Sequence, residues 1–204
     1  FNSELLKLIN TNKAFPYYQA ERRIDIFINL YLEEILNYSL DTNSIIYISP
    51  ELALKKQENN LSTKVDYLCF DTAEKRIFFV ELKTDKKSFK TDQLENYLSY
   101  KTWGTCMDEI AIISKVSKYK AKFTTLINRL TDTNLWNEEA RNYPVSVVYL
   151  TPENPQMSQK IISLNAANRT REITFNSLEN FHSERFPEEW PLFYSAVLKP
   201  IEQN

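Results

Sequence analysis

Gly104 is the only glycine in a chain of 204 residues. A backbone without glycine gives up easy access to positive φ and to close main-chain approach. A glycine-rich loop that cradles phosphate cannot be built, nor can a dinucleotide-binding fingerprint. Kinase, P-loop NTPase and Rossmann readings are therefore excluded. Tight turns fall to Asn and Asp, which tolerate positive φ better than other side chains.

The sulfur and imidazole content narrows the chemistry further. There are two cysteines, Cys69 and Cys106, no CxxC, and one histidine, His182. A zinc site of Cys and His is not expected. A metal would be held by carboxylates and carbonyls, the donors of Mg²⁺ or Mn²⁺. A Ser-His-Asp or Cys-His nucleophile would have to use His182, in ENFHSERF, where no nucleophile turn is visible. His182 reads as an exposed loop residue.

With 43% hydrophobic residues the chain can bury a core, and its length suits one domain over 1–204. The net charge of −2 gives no global basic signal for nucleic acid, although a local basic cleft is compatible with it. No run reaches the roughly 18 apolar residues of a membrane helix. The start, FNSELLKLINTNK, is mixed and amphipathic rather than a signal peptide, so a cytoplasmic location is expected.

Apolar spacing predicts a helix over 19–37, with Ile24, Phe27, Ile28, Tyr31, Leu32 and Ile35 on one stripe and Glu21 at its start, turned towards the core. A shorter helix over 3–12 precedes it, with Pro16 in the break. A strand over 45–50 is expected to end at Pro50; ELALKK reads as extended or helical, and QENNLST as a loop. Residues 64–71 and 76–83 form an antiparallel hairpin about the turn TAEK. A helix over 91–103 has Thr91 as N-cap. Next come a strand at 109–114, a helix at 118–130, strands at 143–152 and 160–166, and a helix at 188–201 with Pro191 in its first turns. The expected class is α/β, a mixed central sheet flanked by helices.

Within FFVELKTD (78–85), side chains alternate. Phe78, Val80 and Leu82 make an apolar face; Ile77, Phe79, Glu81 and Lys83 share the other. On the preceding strand, Asp66 can converge with Glu81 at the same end of the hairpin. Two carboxylates and a carbonyl such as that of Leu82 suit a hard divalent cation, and a nearby Lys83 can bind phosphate or activate water. Asp71 and Asp85 are rival ligands, ranked lower because one sits at the turn and the other past the strand end. Gln93 and Tyr97 form an i,i+4 pair on the next helix.

This ordered set resembles the PD-(D/E)xK nuclease superfamily: Glu21 on a first helix, Asp66 in KVDYL, Glu81-Leu82-Lys83, then a Gln93…Tyr97 motif similar to that of RecB-like members. Val65 stands where the family's proline often sits. The resemblance covers roughly residues 15–105 and implies a restriction-endonuclease-like αβββαβ core, about 15–115, with C-terminal additions from 116. It implies Mg²⁺-dependent or Mn²⁺-dependent hydrolysis of phosphodiesters, with Glu21, Asp66, Glu81 and the Leu82 carbonyl as ligands and Lys83 orienting or activating water. Gln93 and Tyr97 would position the lysine or contact the nucleic-acid backbone. Nucleic acid, foremost DNA, is the expected partner; a homodimer is compatible, and a membrane is not expected. Lys83, Lys86, Lys87, Lys90, Lys115, Lys118, Lys120 and Lys122 could meet phosphates, and Phe89, Tyr100 and Trp103 could stack on bases. The rival reading is an inactive domain of the same fold serving as a binding or interaction module.

Overall fold

A computed structural model describes residues 21–55, 62–164 and 166–203. The helix read over 3–12, Pro16 and the first part of the loop at 57–63 lie outside the described residues, as does the Glu21 side chain. The architecture is α/β: one five-stranded mixed sheet between two layers of helices.

Helix α1 (Glu21–Ser39) leads into β1 (Ile45–Lys55), β2 (Ser62–Asp71) and β3 (Arg76–Leu82). These three strands form an antiparallel meander. Three helices follow: α2 (Thr91–Ser99), α3 (Trp103–Val116) and α4 (Lys120–Asp132). They return the chain to β4 (Val145–Thr151), which lies parallel to β3. Helix α5 (Pro155–Ser163) crosses to β5 (Thr170–Thr174), parallel to β4. The spatial order of strands is therefore the chain order. A C-terminal helical segment runs as α from Glu189–Phe193, as π over Tyr194–Leu198 and as α again over Lys199–Glu202. The widened turn directly precedes Pro200, whose ring would meet the carbonyl of Ala196 in a regular helix.

Each face of the sheet buries its own apolar layer. Ile24, Ile28, Leu32 and Ile35 of α1 pack with Phe78, Val80 and Leu82 of β3 and with Trp190 and Phe193. On the other face Ile77 and Phe79 meet Leu94, Tyr97, Trp103, Ile110, Leu130 and Met157, from α2 to α5. Central β3 and β4 are thus covered on both sides, as the parallel half of a mixed sheet requires.

Several predicted elements differ. Pro50 does not end its strand: it lies inside β1, paired with Tyr67. An edge strand needs no main-chain donor on its outer side, so proline fits there, three residues after a register shift at Tyr47. Residues 109–114 belong to helix α3 rather than a strand, because Trp103, Cys106, Met107 and Ile110 form a buried helical stripe while Ile112 is exposed. Residues 160–163 are likewise helical. Asn154 accepts the Met157 N–H as an N-cap, Pro155 opens the first turn, and Met157 and Ile161 point inward. Thr91 is the first helical residue of α2, with Lys90 at the cap position, and that helix stops at Ser99. Strand β5, TREIT, has no counterpart among the predicted elements; it is a polar edge strand with only Thr170 and Ile173 buried.

Positive φ occurs at Asp41, Glu51, Lys75 and Asn134. Two of these are the expected Asp and Asn; Glu51 and Lys75 are not. Gly104 has no positive φ. A Cβ there would stand 3.0 Å from the carbonyl oxygen of Arg141, so this glycine permits close packing of α3 on the 140–142 turn.

Candidate functional site at the parting of two strands

The last pair of the β2–β3 ladder is Tyr67 with Val80. Beyond it the strands part, and side chains take over from main chain. Asp66 Oδ2 accepts the Leu82 N–H at 2.8 Å. The Tyr97 hydroxyl reaches the Lys64 carbonyl at 2.6 Å. The Leu82 peptide is therefore tied to the Asp66 carboxylate directly.

Asp66 lies two residues from Leu68, and Glu81 two from Phe79; Leu68 and Phe79 are cross-strand partners in the same apolar layer. Val65 faces that layer as well, so alternation breaks at Asp66; Glu81 stands on the face that α2 covers, and Asp66 joins it through the Leu82 N–H and by lying near enough to act on the Tyr149 phenol. Glu81 is 3% exposed and Lys83 6%. Lys83 Nζ donates to Glu81 Oε1 at 2.7 Å, a buried ion pair. Gln93 Nε2 donates to the same oxygen at 2.7 Å and reaches Tyr97 Oη at 2.9 Å. Tyr97 Oη lies 2.8 Å from Glu81 Oε2, so its one proton stands between a carboxylate and a carbonyl. Burial, then the Glu81 charge and hydrogen bond, hold this phenol protonated well above its ordinary value.

Asp66, Glu81, Lys83, Gln93 and Tyr97 are therefore brought together as the sequence spacing predicts. Tyr97 serves core and site at once, its ring packed edge-on against Phe79. The Asp rivals are used elsewhere. Asp71 Oδ1, at the far end of the hairpin, accepts from Ser44 Oγ and from the N–H groups of Ala73 and Glu74. Asp85 is exposed and caps a short turn, accepting the Lys87 N–H. His182 is exposed, and Cys69 and Cys106 are free, buried thiols in opposite apolar layers. Tyr100 and Trp103 are buried and do not offer stacking faces; they bond to Glu109 and to the Leu135 carbonyl. Lys87, Lys90, Lys115, Lys118, Lys120 and Lys122 are exposed, and Lys118 and Lys122 bracket the Tyr119 ring at 5.1 and 5.4 Å.

One neighbour escaped sequence reading. Tyr149 of β4 is in register with Glu81 on the same face. Within VSVVYLT it looks like any apolar strand residue, and only the β3–β4 register places it beside the acids. Burial, then Glu81 and Asp66, hold its phenol above the ordinary value too.

The donor set is oxygen throughout, the chemistry a hard cation takes. Among the described residues no group of three or more His, Cys, Asp or Glu side chains gathers to hold a metal ion. The pair Asp66 and Glu81 would have to be completed by main-chain oxygen, water or substrate. Both Glu81 oxygens already accept hydrogen bonds, so an ion drawing on Glu81 exchanges with Lys83, Gln93 or Tyr97. No described helix is long and apolar enough to cross a membrane. Compared with known proteins, the chain matches no family model, no curated protein and no solved structure.

Proposed function

We propose that this chain is a metal-dependent nuclease of the PD-(D/E)xK type, hydrolysing phosphodiester bonds of nucleic acid, with DNA the first substrate to test. The observation that carries the reading is the convergence of Asp66, Glu81, Lys83, Gln93 and Tyr97 where β2 leaves β3. Element order supports it as well: a helix, an antiparallel three-strand meander, helices, then a strand parallel to β3, as a restriction-endonuclease-like core would have.

In this reading Asp66 and Glu81, with the Leu82 carbonyl, would hold Mg²⁺ or Mn²⁺, which would supply Lewis acidity towards water and charge neutralisation at the phosphate. Lys83, released from Glu81, orients that water or meets a phosphate oxygen. Gln93 fixes Glu81 and Tyr97 relative to one another. The Tyr97 phenol stays neutral and acts as a hydrogen-bond group rather than a base. Exposed Lys87 and Lys90, just after the motif, provide sequence-independent attraction for a phosphate backbone.

A second reading has one observation in its favour. The Glu81 carboxylate is closed by three side chains and, among the described residues, no third acid joins it, as expected of an inactive domain of this fold that serves as a binding module. Incubation of the chain with single- and double-stranded DNA and RNA in Mg²⁺ and in Mn²⁺ separates the two. The nuclease reading expects ion-dependent cleavage that Asp66→Ala and Lys83→Ala each abolish. Absence of cleavage on every substrate, or activity that survives both substitutions, overturns it.

A further inference from the structure

Tyr149 is fully buried, and its hydroxyl has no hydrogen-bond partner among the described residues. Phenylalanine would fill the same space without leaving a polar group orphaned, so packing alone does not account for the oxygen. The ring is held by Phe89, centroid to centroid 5.8 Å and edge-on. Of the described buried side-chain atoms that lack a partner, it is the one on a residue in register with Glu81. Side chains registered on adjacent strands and sharing a face are neighbours. Glu81 accepts from Lys83, Gln93 and Tyr97 and makes no bond to this phenol.

We propose that Tyr149 is a positioning residue of the site, its hydroxyl donating to the Glu81 carboxylate once a divalent cation draws Glu81 away from Lys83 and Tyr97. The inference rests on the nuclease reading of the same residues. Two arrangements of Glu81 then exist. In one, Lys83, Gln93 and Tyr97 close the carboxylate. In the other, Tyr149 would hold the carboxylate and the Lys83 ammonium would be free for substrate. Tyr149 suits this task because a buried phenol hydroxyl donates a hydrogen bond without adding a charge of its own. Outer partners of metal ligands typically contribute about 10–100-fold to metal affinity.

The test uses the full chain and Mn²⁺ alone as probe, with binding read from the electron paramagnetic resonance signal of free Mn²⁺ and stability from thermal melts. Tyr149→Phe is expected to melt no lower than the parent without metal, to bind Mn²⁺ about tenfold more weakly, and to gain less melting temperature from it. A merely structural hydroxyl would instead lower the metal-free midpoint and leave Mn²⁺ affinity unchanged; either result overturns the inference. Should the parent bind Mn²⁺ and Tyr149→Phe bind it equally well, the inference alone fails. A parent that takes up no Mn²⁺ overturns the nuclease reading and the inference together.

Discussion

Replacing Lys83 by methionine isolates the energetics of the buried ion pair. The methionine matches much of the lysine stem but leaves Glu81, 3% exposed, without its cationic partner. Removing one member of a buried pair costs about 3–5 kcal/mol, because the remaining charge is neither paired nor hydrated. Here Gln93 and Tyr97 still donate to Glu81, which argues for the lower end, about 3 kcal/mol. In a chain of 204 residues that corresponds to a fall of about 6–12 °C in melting temperature. The double variant Glu81→Met, Lys83→Met removes both charges and leaves Tyr97 its bond to the Lys64 carbonyl. It should recover to within about 1 kcal/mol of the parent, since apolar replacements of buried pairs are often neutral or better. Urea unfolding followed by tryptophan fluorescence is the assay, with Trp190 in one apolar layer and Trp103 in the other. A loss of under about 1 kcal/mol in the single variant, or a double variant as unstable as the single, refutes the reasoning. The expected pattern would mean that the fold does not need the pair, leaving function as its reason.

Alkaline titration should find Tyr97 and Tyr149 the most resistant of the described tyrosines. Tyr97 and Tyr149 have folded pKa values above the ordinary 10.0, so they add stability that is complete below pH 10 and is lost as pH rises beyond it. Phenolate absorbance near 295 nm should show both ionising only with unfolding; early, non-cooperative ionisation of either would contradict their burial. Lys75 holds φ at 52° in the β2–β3 turn. Lys75→Gly should therefore stabilise by about 0.5–1 kcal/mol in a urea melt, through relief of left-handed strain partly offset by unfolded-state entropy, and destabilisation would argue against a strained turn.

Much of the site was legible because a strand has a two-residue period. Phe78, Val80 and Leu82 against Phe79, Glu81 and Lys83 admits one assignment of faces, and the TAEK turn fixes which acid of the preceding strand comes alongside. Gln93 and Tyr97 followed from helical spacing. The errors cluster where two periods agree. Ile110, Ile112 and Ile113 suit a strand by composition, but the deciding partners, Trp103 and Cys106, lie upstream, at and just beyond the end of what reads as the preceding helix. The Lys160–Ile162 stretch is overruled by a cap at Asn154, six residues before it. Pro50 misled because the sequence does not say which strand is at the edge. Tyr149 stayed hidden for a related reason: parallel register between β3 and β4 is set by three intervening helices, which no local pattern encodes.

The separation of β2 from β3 beyond Tyr67 has a mechanical corollary. Where ordinary sheet is stitched by amides that no substitution can remove, this fork is stitched by Asp66 and Tyr97, which substitution can remove. The groups assigned to chemistry are also the rivets of the strand ends. Alanine at either one should loosen the frame as well as silence the proposed reaction, and the Leu82 amide, guarded by a lone carboxylate, would be the first in β3 to exchange its hydrogen with the solvent.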